Sequence, residues 1–199
     1  MDPMRDRILA SATALFVERG YDGVAMREIS DACGITKAAL YYHFGGKSDV
    51  LRAIFTTYLA EMAGVVEASA QHATTAEEQL RWLVRRLFAL PPERRAVMRL
   101  AMHDMRHLAE EHRAGFATAY RTQFVAPLEA ILRSGMENGE FTPGHPALAV
   151  WMLLGMLYPF FSPSGAAAPQ SPDTVVDAVL DTLLNGLKTR GIAPAPSRA

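Results

Sequence analysis

Four aromatic side chains follow one another at positions 41–44, within the segment GITKAALYYHFGGKSDVL that spans residues 34–51. Successive positions of a helix point about 100° apart, so these side chains cannot all face a protein core. The hydroxyl groups of Tyr41 and Tyr42 and the imidazole N–H of His43 are short, stiff donors that suit phosphate oxygens and base edges. These residue types favour contact with a nucleic acid, and ordinary packing against neighbouring helices is the alternative for each ring taken alone.

The apolar residues of this short helix indicate which face points outward. Leu40 and Phe44 are four residues apart and anchor the helix to a core, which leaves Lys37 and Tyr41 on the opposite surface. Lys47 follows at the start of the next helix, where its ammonium and the free backbone N–H groups are placed to grip one phosphate. The spacing predicts a small surface of basic and aromatic groups that suits a DNA groove.

Start and stop signals predict three helices around this surface. Asp2 and Pro3 begin the first helix, and a glycine ends each of the first two. The predicted helices are Met4–Arg19, Met26–Cys33 and Lys37–His43. A tight turn at Gly34 joins the last two in a helix-turn-helix arrangement, whose second helix enters a DNA major groove.

The remaining chain has the pattern of helices throughout. Apolar residues recur at helical spacing, and the alternation typical of strands is absent from the sequence. Pro91 and Pro92 interrupt one helix, and Pro127 predicts a kink in another. We therefore predict an all-α fold with a helix-turn-helix domain at residues 1–47, a larger helical domain at residues 48–190 and a disordered tail at residues 191–199.

Residues 20–55, GYDGVAMREISDACGITKAALYYHFGGKSDVLRAIF, resemble the DNA-binding domain of the tetracycline-repressor (TetR) family of bacterial transcription regulators. The shared pattern runs G-Y/F, R-E/D-I-A, G-V/I-S/T, L-Y-Y/H-H-F and K-x-x-L at fixed spacing. The resemblance implies that the first three helices read DNA and that the later helices bind a small ligand and form a dimer interface. Such a homodimer would address two half-sites about one helical turn, or a multiple of it, apart.

The resemblance also implies roles for individual residues. It assigns base contacts to Arg27 and Lys37, and phosphate contacts to Thr36 and Lys47. It assigns a mixture of base and backbone contacts to Tyr41, Tyr42 and His43. Ala39 occupies a further position of the family's DNA-binding set.

Departures from the family pattern concern the strength of DNA binding. Val24 and Ala25 stand where threonines are usual, so the second helix lacks a cap hydroxyl and a phosphate contact. The loss of such a cap costs about 0.5–2 kcal/mol. Ala39 stands where a serine or threonine often donates to DNA, so affinity or sequence choice is expected to differ.

Composition limits the class of protein. The 199 residues carry a net charge of −1, and basic and acidic residues balance through position 47, so net charge gives no argument for DNA. Cys33 is the single cysteine, which favours a reduced intracellular protein. The N-terminus lacks a signal-peptide pattern, and the apolar run at residues 147–161 is shorter than the roughly 20 residues that span a bilayer. We predict a cytoplasmic protein without a membrane partner.

Methionines and aromatic residues of the second domain are candidates to line a cavity for a small hydrophobic effector, because methionine adapts its shape and aromatic rings stack. Filling of an ordinary core is the alternative for each. The candidates are Phe88, Met98, Met102, His103, Met105, Phe116, Tyr120, Phe124 and Trp151. The segment WMLLGMLYPFF at residues 151–161 is similar to the matching helix of acyl-coenzyme-A-responsive family members, which favours an effector of the fatty-acyl type.

Two segments, residues 147–161 and 175–187, are more apolar than an isolated surface helix would be. A symmetric dimer in which each subunit supplies both helices to a four-helix bundle explains this composition, and a single-chain core is the alternative. The interface candidates are Leu148, Met152, Val176, Leu180, Leu183, Leu184 and Leu187.

The sequence shows no catalytic or cofactor pattern. It has no Gly-rich phosphate loop and no Ser-His-Asp grouping, so we expect neither an enzyme nor a cofactor. His103 and His107 have the i, i+4 spacing of a metal pair, but this spacing is also common on solvated helix faces, and no metal is predicted. We predict a homodimeric repressor that an effector releases from its operator. An activator or a regulator without an effector is the alternative, and a helical lipid carrier is a further one.

Overall fold

The computed structural model describes residues 2–161 and 171–187. The helices of the N-terminal part are α1 (Pro3–Arg19), α2 (Met26–Cys33) and α3 (Lys37–His43). Those that follow are α4 (Lys47–His72), α5 (Ala76–Phe88), α6 (Pro92–Arg95), α7 (Val97–Asp104), α8 (Glu110–Tyr120), α9 (Ala126–Glu137), α10 (Pro146–Leu157) and α11 (Pro172–Leu187). The described ranges contain helices and no strand, which confirms the all-α class. The tail predicted at residues 191–199 lies outside the described residues.

The first three helices begin and end at the residues whose chemistry predicted it. The Asp2 carboxylate accepts a hydrogen bond from the Met4 N–H at 3.0 Å and caps α1. Gly34 ends α2 in the left-handed region, with φ 64°, and its N–H bonds back to the last turn of the helix. Only a residue that tolerates positive φ allows the sharp turn into α3.

Helix α4 connects the two parts of the fold through one continuous core. Near its start, the fully buried Leu51 belongs to the same apolar cluster as Ile8 and Phe16 of α1. Further along, Met62 joins the cluster that includes Leu80 of α5. One helix therefore contributes to both ends of the core, and α1 also contacts α6 and α7 directly.

The kink predicted at Pro127 takes the form of a wider helical turn. A π-helical segment, Arg121–Val125, separates α8 from α9, and Pro127 lies in the first turn of α9. Proline has no N–H to donate to the preceding turn, and such a turn often widens. Arg121 spans this turn and pairs with the buried carboxylate of Glu129 at 2.5 Å.

Candidate DNA-reading surface and effector cavity

Large apolar side chains are exposed at two places in the described part of the chain. One is the end of α3, where Tyr41 is 44% and Tyr42 87% exposed. The other is an area of α7 and α10 formed by Met102, Leu148, Trp151 and Met152. Exposed apolar groups that cluster in this way are typical of surfaces that contact another molecule.

The anchoring of α3 matches the prediction. Leu40 is fully buried and Phe44 is 5% exposed, so this face of α3 is fixed to the core. Thr36 caps the helix, since its hydroxyl oxygen accepts a hydrogen bond from the Ala39 N–H at 3.1 Å. The Thr36 hydroxyl hydrogen remains available for a phosphate oxygen.

Basic and aromatic groups share the outward surface of the helix-turn-helix. The Lys37 ammonium lies 5.7 Å from the centroid of the Tyr41 ring, a cation–π arrangement that restrains both side chains. On α2, the Arg27 side chain is 83% exposed, with its Nε atom 3.7 Å from Asp31. These groups are open to solvent and free to meet a polyanion.

Helix α2 begins after Ala25, which has no hydroxyl to cap the helix. Ala25 offers no side-chain acceptor, and instead the Glu28 carboxylate accepts from the Ala25 N–H at 2.7 Å. The same carboxylate pairs with Arg19 at 2.6 Å. The backbone hydrogen bond and, next, the bond from Arg19 lower the pKa of Glu28. Glu28 therefore stabilises the start of α2 from within the chain.

Lys47 is placed differently from the prediction. Its ammonium donates to the carbonyl oxygens of Tyr21 at 2.7 Å and Val24 at 2.8 Å, and it lies 4.1 Å above the Tyr21 ring. These carbonyls belong to the α1–α2 turn, in which the Tyr21 carbonyl also accepts from the Val24 N–H at 3.4 Å. The Lys47 side chain thus holds this turn against the start of α4 and is not free for a phosphate in this arrangement.

His43 also differs from the prediction of an outward side chain. The side chain is 15% exposed, and its Nδ1 atom lies 3.1 Å from the Asp2 carboxylate at the start of α1. Tyr42 packs edge-on against the His43 ring, with centroids 5.3 Å apart. His43 therefore faces the start of α1 and contacts the Tyr42 ring.

An apolar cavity of about 290 Å³ lies among α4, α7, α8 and α10. Six of the predicted cavity residues line it, namely Met98, Met102, Met105, Phe116, Tyr120 and Trp151. A second cavity of about 240 Å³ adjoins it toward the end of α10 and shares four of these residues. Met102 and Trp151 line both cavities and are more than half exposed, so they mark the opening.

Three predicted cavity residues lie elsewhere. Phe88 and Phe124 are 5% and 1% exposed and belong to the closed core, because the faces of α5 and of the π-helical turn that carry them pack inward. His103 points away from the first cavity, and its Nε2 atom is 3.3 Å from the hydroxyl of Tyr158, which lines the second.

Sequence reasoning missed the contribution of α4 to this cavity. Tyr58, Leu59 and Met62 line it, as do Ala101 and Ala117. Tyr58 and Met62 stand four residues apart, a spacing that places them on one face of a helix. The polar hydroxyl of Tyr58 within this otherwise apolar face was the feature of the sequence that could have indicated a cavity.

The dimer candidates divide between surface and core. Leu148 is 57% and Met152 53% exposed on α10, an element without a charged residue. The α11 candidates that the structure describes are instead enclosed in the core of the single chain, and these are Val176, Leu180, Leu183 and Leu184. Helix α11 packs on α5 and α10, which accounts for their burial. The Leu187 side chain lies outside the described residues.

The two histidines of the possible metal pair face different neighbours. His107 stacks on Tyr21 of the α1–α2 turn, and its Nε2 atom lies 3.4 Å from Asp22 and 3.5 Å from Asp104. His103 faces Tyr158 instead. Among the described side chains there is no cluster of three or more His, Cys, Asp or Glu able to hold a metal ion.

The segment around His107 connects the cavity to the helix-turn-helix. Met105 lines the cavity, and two residues later the His107 ring meets Tyr21 with centroids 4.4 Å apart. Arg99 of α7 donates to the carbonyl oxygen of Val17 at 3.1 Å, a second contact with α1. The segment that lines the cavity therefore also contacts the turn that precedes α2.

These features define a helix-turn-helix DNA-binding regulator joined to a helical domain with an apolar cavity. Within the described ranges, no helix has the length and apolar character required to cross a membrane. A family model described as "Bacterial regulatory proteins, tetR family" matches residues 8–54. A second, "Tetracyclin repressor-like, C-terminal domain", matches residues 73–187. The chain belongs to the TetR family of transcription regulators.

Individual relatives agree with this assignment. The HTH-type transcriptional repressor KstR2 of Rhodococcus jostii is 24% identical over 187 residues, which are 92% of this chain and 90% of that protein. The TetR-family regulator PfmR of Thermus thermophilus is 30% identical, with a TM-score of 0.79 over 92% of this chain and 100% of that one. AibR, solved with isovaleryl coenzyme A and operator DNA, is 25% identical, with a TM-score of 0.78 over 91% of this chain and 98% of that one.

Proposed function

We propose that this protein is a homodimeric transcriptional repressor that a small, lipophilic effector releases from its operator. The observation that carries the proposal is the outward surface of α3, where Tyr42 is 87% exposed beside Tyr41 and Lys37. An aromatic ring exposed to this degree on the second helix of a helix-turn-helix is placed to enter a major groove. Repression is favoured over activation by the similarity to KstR2 along nearly the whole chain.

The area of α10 around Leu148 and Met152 supports the dimer. Each of these side chains is about half exposed in the single chain, and no charged residue interrupts them. An isologous contact buries the same patch on both subunits and places the two α3 helices symmetrically. Two half-sites about one helical turn apart, or a multiple of it, are the operator that such a pair requires.

The cavity supports control by an effector. A ligand that enters it touches Met105, two residues before the His107 ring that stacks on Tyr21, and Tyr58 of α4, the helix that follows α3. For release to occur, the ligand must bind the state with displaced α3 helices more tightly than the DNA-bound state, by about 1–3 kcal/mol. The complex of AibR with isovaleryl coenzyme A makes an acyl group one suitable occupant.

Titration of fluorescently labelled DNA from the region next to the gene tests the proposal. We expect the protein to bind a palindromic duplex as a dimer, and a lipophilic cell extract to lower that affinity. A duplex bound equally well with and without such extracts would support the alternative, a regulator without an effector. A protein that binds the extract components and no flanking duplex would contradict the DNA-binding role.

A further inference from the structure

The cavity among α4, α7, α8 and α10 carries no charge. The residues that line it are Tyr58, Leu59, Met62, Met98, Ala101, Met102, Met105, Phe116, Ala117, Tyr120 and Trp151. None of them has a side chain that is ionised at neutral pH, and an unpaired charged group would lose its hydration on entering. The part of a ligand that occupies the cavity is therefore uncharged.

Two tyrosines are the polar groups of this lining. Tyr58 is 3% exposed, and neither its hydroxyl nor that of Tyr120 has a hydrogen-bond partner in the described part of the chain. By contrast, the hydroxyl of Tyr158 in the adjoining cavity is paired with His103. Neither hydroxyl is among the fully buried, unpaired polar atoms of the described side chains, so both reach accessible space and are able to donate to a ligand.

Both hydroxyls remain protonated and able to donate over the physiological pH range. Burial, with smaller contributions from Tyr120 and Glu61, raises the pKa of Tyr58. Burial also raises the pKa of Tyr120 to about 12. Both tyrosines belong to the lining of the same cavity.

The volume of the cavity limits the size of the occupant. About 290 Å³ is roughly twice the ~150 Å³ that holds one benzene molecule in an apolar protein cavity. A group of about ten to twelve non-hydrogen atoms fits the first cavity, and a longer one extends into the second past Met102 and Trp151.

We propose that the cavity selects an uncharged, apolar ligand that carries a carbonyl-type oxygen, and that Tyr58 and Tyr120 donate hydrogen bonds to that oxygen. Ketones, esters and thioesters belong to this class, whereas free carboxylates do not. The inference rests on the proposed effector function and specifies the chemistry of its site.

Three small compounds of similar size separate the contributions of charge and hydrogen bonding. Benzylacetone is a neutral ketone, butylbenzene has no oxygen, and hydrocinnamate carries a carboxylate. Binding is measured by isothermal titration calorimetry with the full-length protein, its Tyr58→Phe and Tyr120→Phe variants and the double variant. Trp82→Phe, which changes an aromatic residue outside both cavities and outside the helix-turn-helix, is the control, and circular dichroism checks that each variant is folded.

We expect benzylacetone to bind the parent protein and to lose about threefold to tenfold in affinity with each Tyr→Phe change. Butylbenzene should bind parent and variants equally, and hydrocinnamate should bind at least tenfold more weakly than the ketone. Equal losses for benzylacetone and butylbenzene, a preference for hydrocinnamate, or no binding of either neutral compound would overturn the proposal.

DNA binding is measured on the same samples, so the two proposals fail separately. If the ketone pattern holds while no flanking duplex is bound, the regulator role fails and the ligand class stands. If the duplex is bound while the ketone pattern is absent, the ligand class fails and the regulator role stands.

Discussion

His107 and Tyr21 stack face to face, with ring centroids 4.4 Å apart and an angle of 21° between their planes. The pair joins the segment after α7 to the α1–α2 turn, and the Lys47 ammonium covers the Tyr21 ring at 4.1 Å. Asp22 of the same turn lies 3.9 Å from Arg106. The turn that positions α2 is therefore held from the cavity side by His107 and from α4 by Lys47.

Removal of the His107 ring should loosen the α1–α2 turn. An aromatic pair of this kind contributes about 0.5–1.5 kcal/mol, so His107→Ala should speed amide hydrogen exchange at residues 20–25 by roughly threefold to tenfold. His103→Ala, which loses only the contact with Tyr158, is the matched control. Unchanged exchange in His107→Ala would show that the stack does not hold the turn.

Lys47→Ala should reduce stability rather than the salt dependence of DNA binding. The ammonium makes two hydrogen bonds to carbonyls of the turn, and their loss should cost about 2 kcal/mol in a urea titration. Lys37→Ala, at an exposed position, should change stability by less than about 0.5 kcal/mol. A salt slope lowered by about one in Lys47→Ala, with stability unchanged, would instead assign Lys47 to a phosphate.

Tyr120→Phe should protect the fold at high pH. The folded-state pKa of Tyr120 is raised from 10.0 to about 12, so its stabilising effect is complete below pH 10.0 and is lost as the pH rises toward 12. The variant has no phenol to ionise, so its urea midpoint should fall less than that of the parent between these pH values. Tyr42→Phe, which changes an exposed tyrosine, should behave like the parent. An equal fall in Tyr120→Phe and the parent would show that the pKa of this hydroxyl is not raised in the folded protein.

Leu148→Glu should separate the subunits. The change places a carboxylate in the middle of the uncharged, exposed area of α10, where a symmetric contact would bring two such groups together. We expect a dimer for the parent and a monomer for the variant in sedimentation equilibrium. Ala10→Glu, at an exposed position on α1, is the control for added charge. A variant that remains dimeric would place the interface elsewhere.

The sequence was sufficient for the helices of the DNA-binding part and for the direction in which α3 faces. Local signals determine these features, namely the Asp2 cap, the turn at Gly34 and the i, i+4 spacing of Leu40 and Phe44. The placement of Lys47 and His43 was not predictable, because their partners are up to 41 residues away in the chain. Which side chain reaches which carbonyl depends on how α1 and α4 cross.

The cavity and the dimer surface were predicted only in part, for a similar reason. Apolar periodicity shows that α5, α10 and α11 bury a face, but not whether the face meets the same chain or another one. Val176 and Leu148 look alike in sequence, yet one is fully buried and the other is 57% exposed. Phe88 and Phe116 are equally ambiguous, and only the packing of α7 and α8 places Phe116 at the cavity.

The DNA affinity of a Tyr42→Ala variant is the most direct test of the central claim that the outward surface of α3 binds DNA. Fluorescence anisotropy with a flanking palindromic duplex should show about tenfold weaker binding for Tyr42→Ala, since one base contact is worth about 1–3 kcal/mol. Its thermal unfolding should match the parent, because the ring is 87% exposed. Trp82→Phe, outside the helix-turn-helix, should bind as the parent does. Equal affinity of Tyr42→Ala and the parent for every duplex that the parent binds would contradict the account.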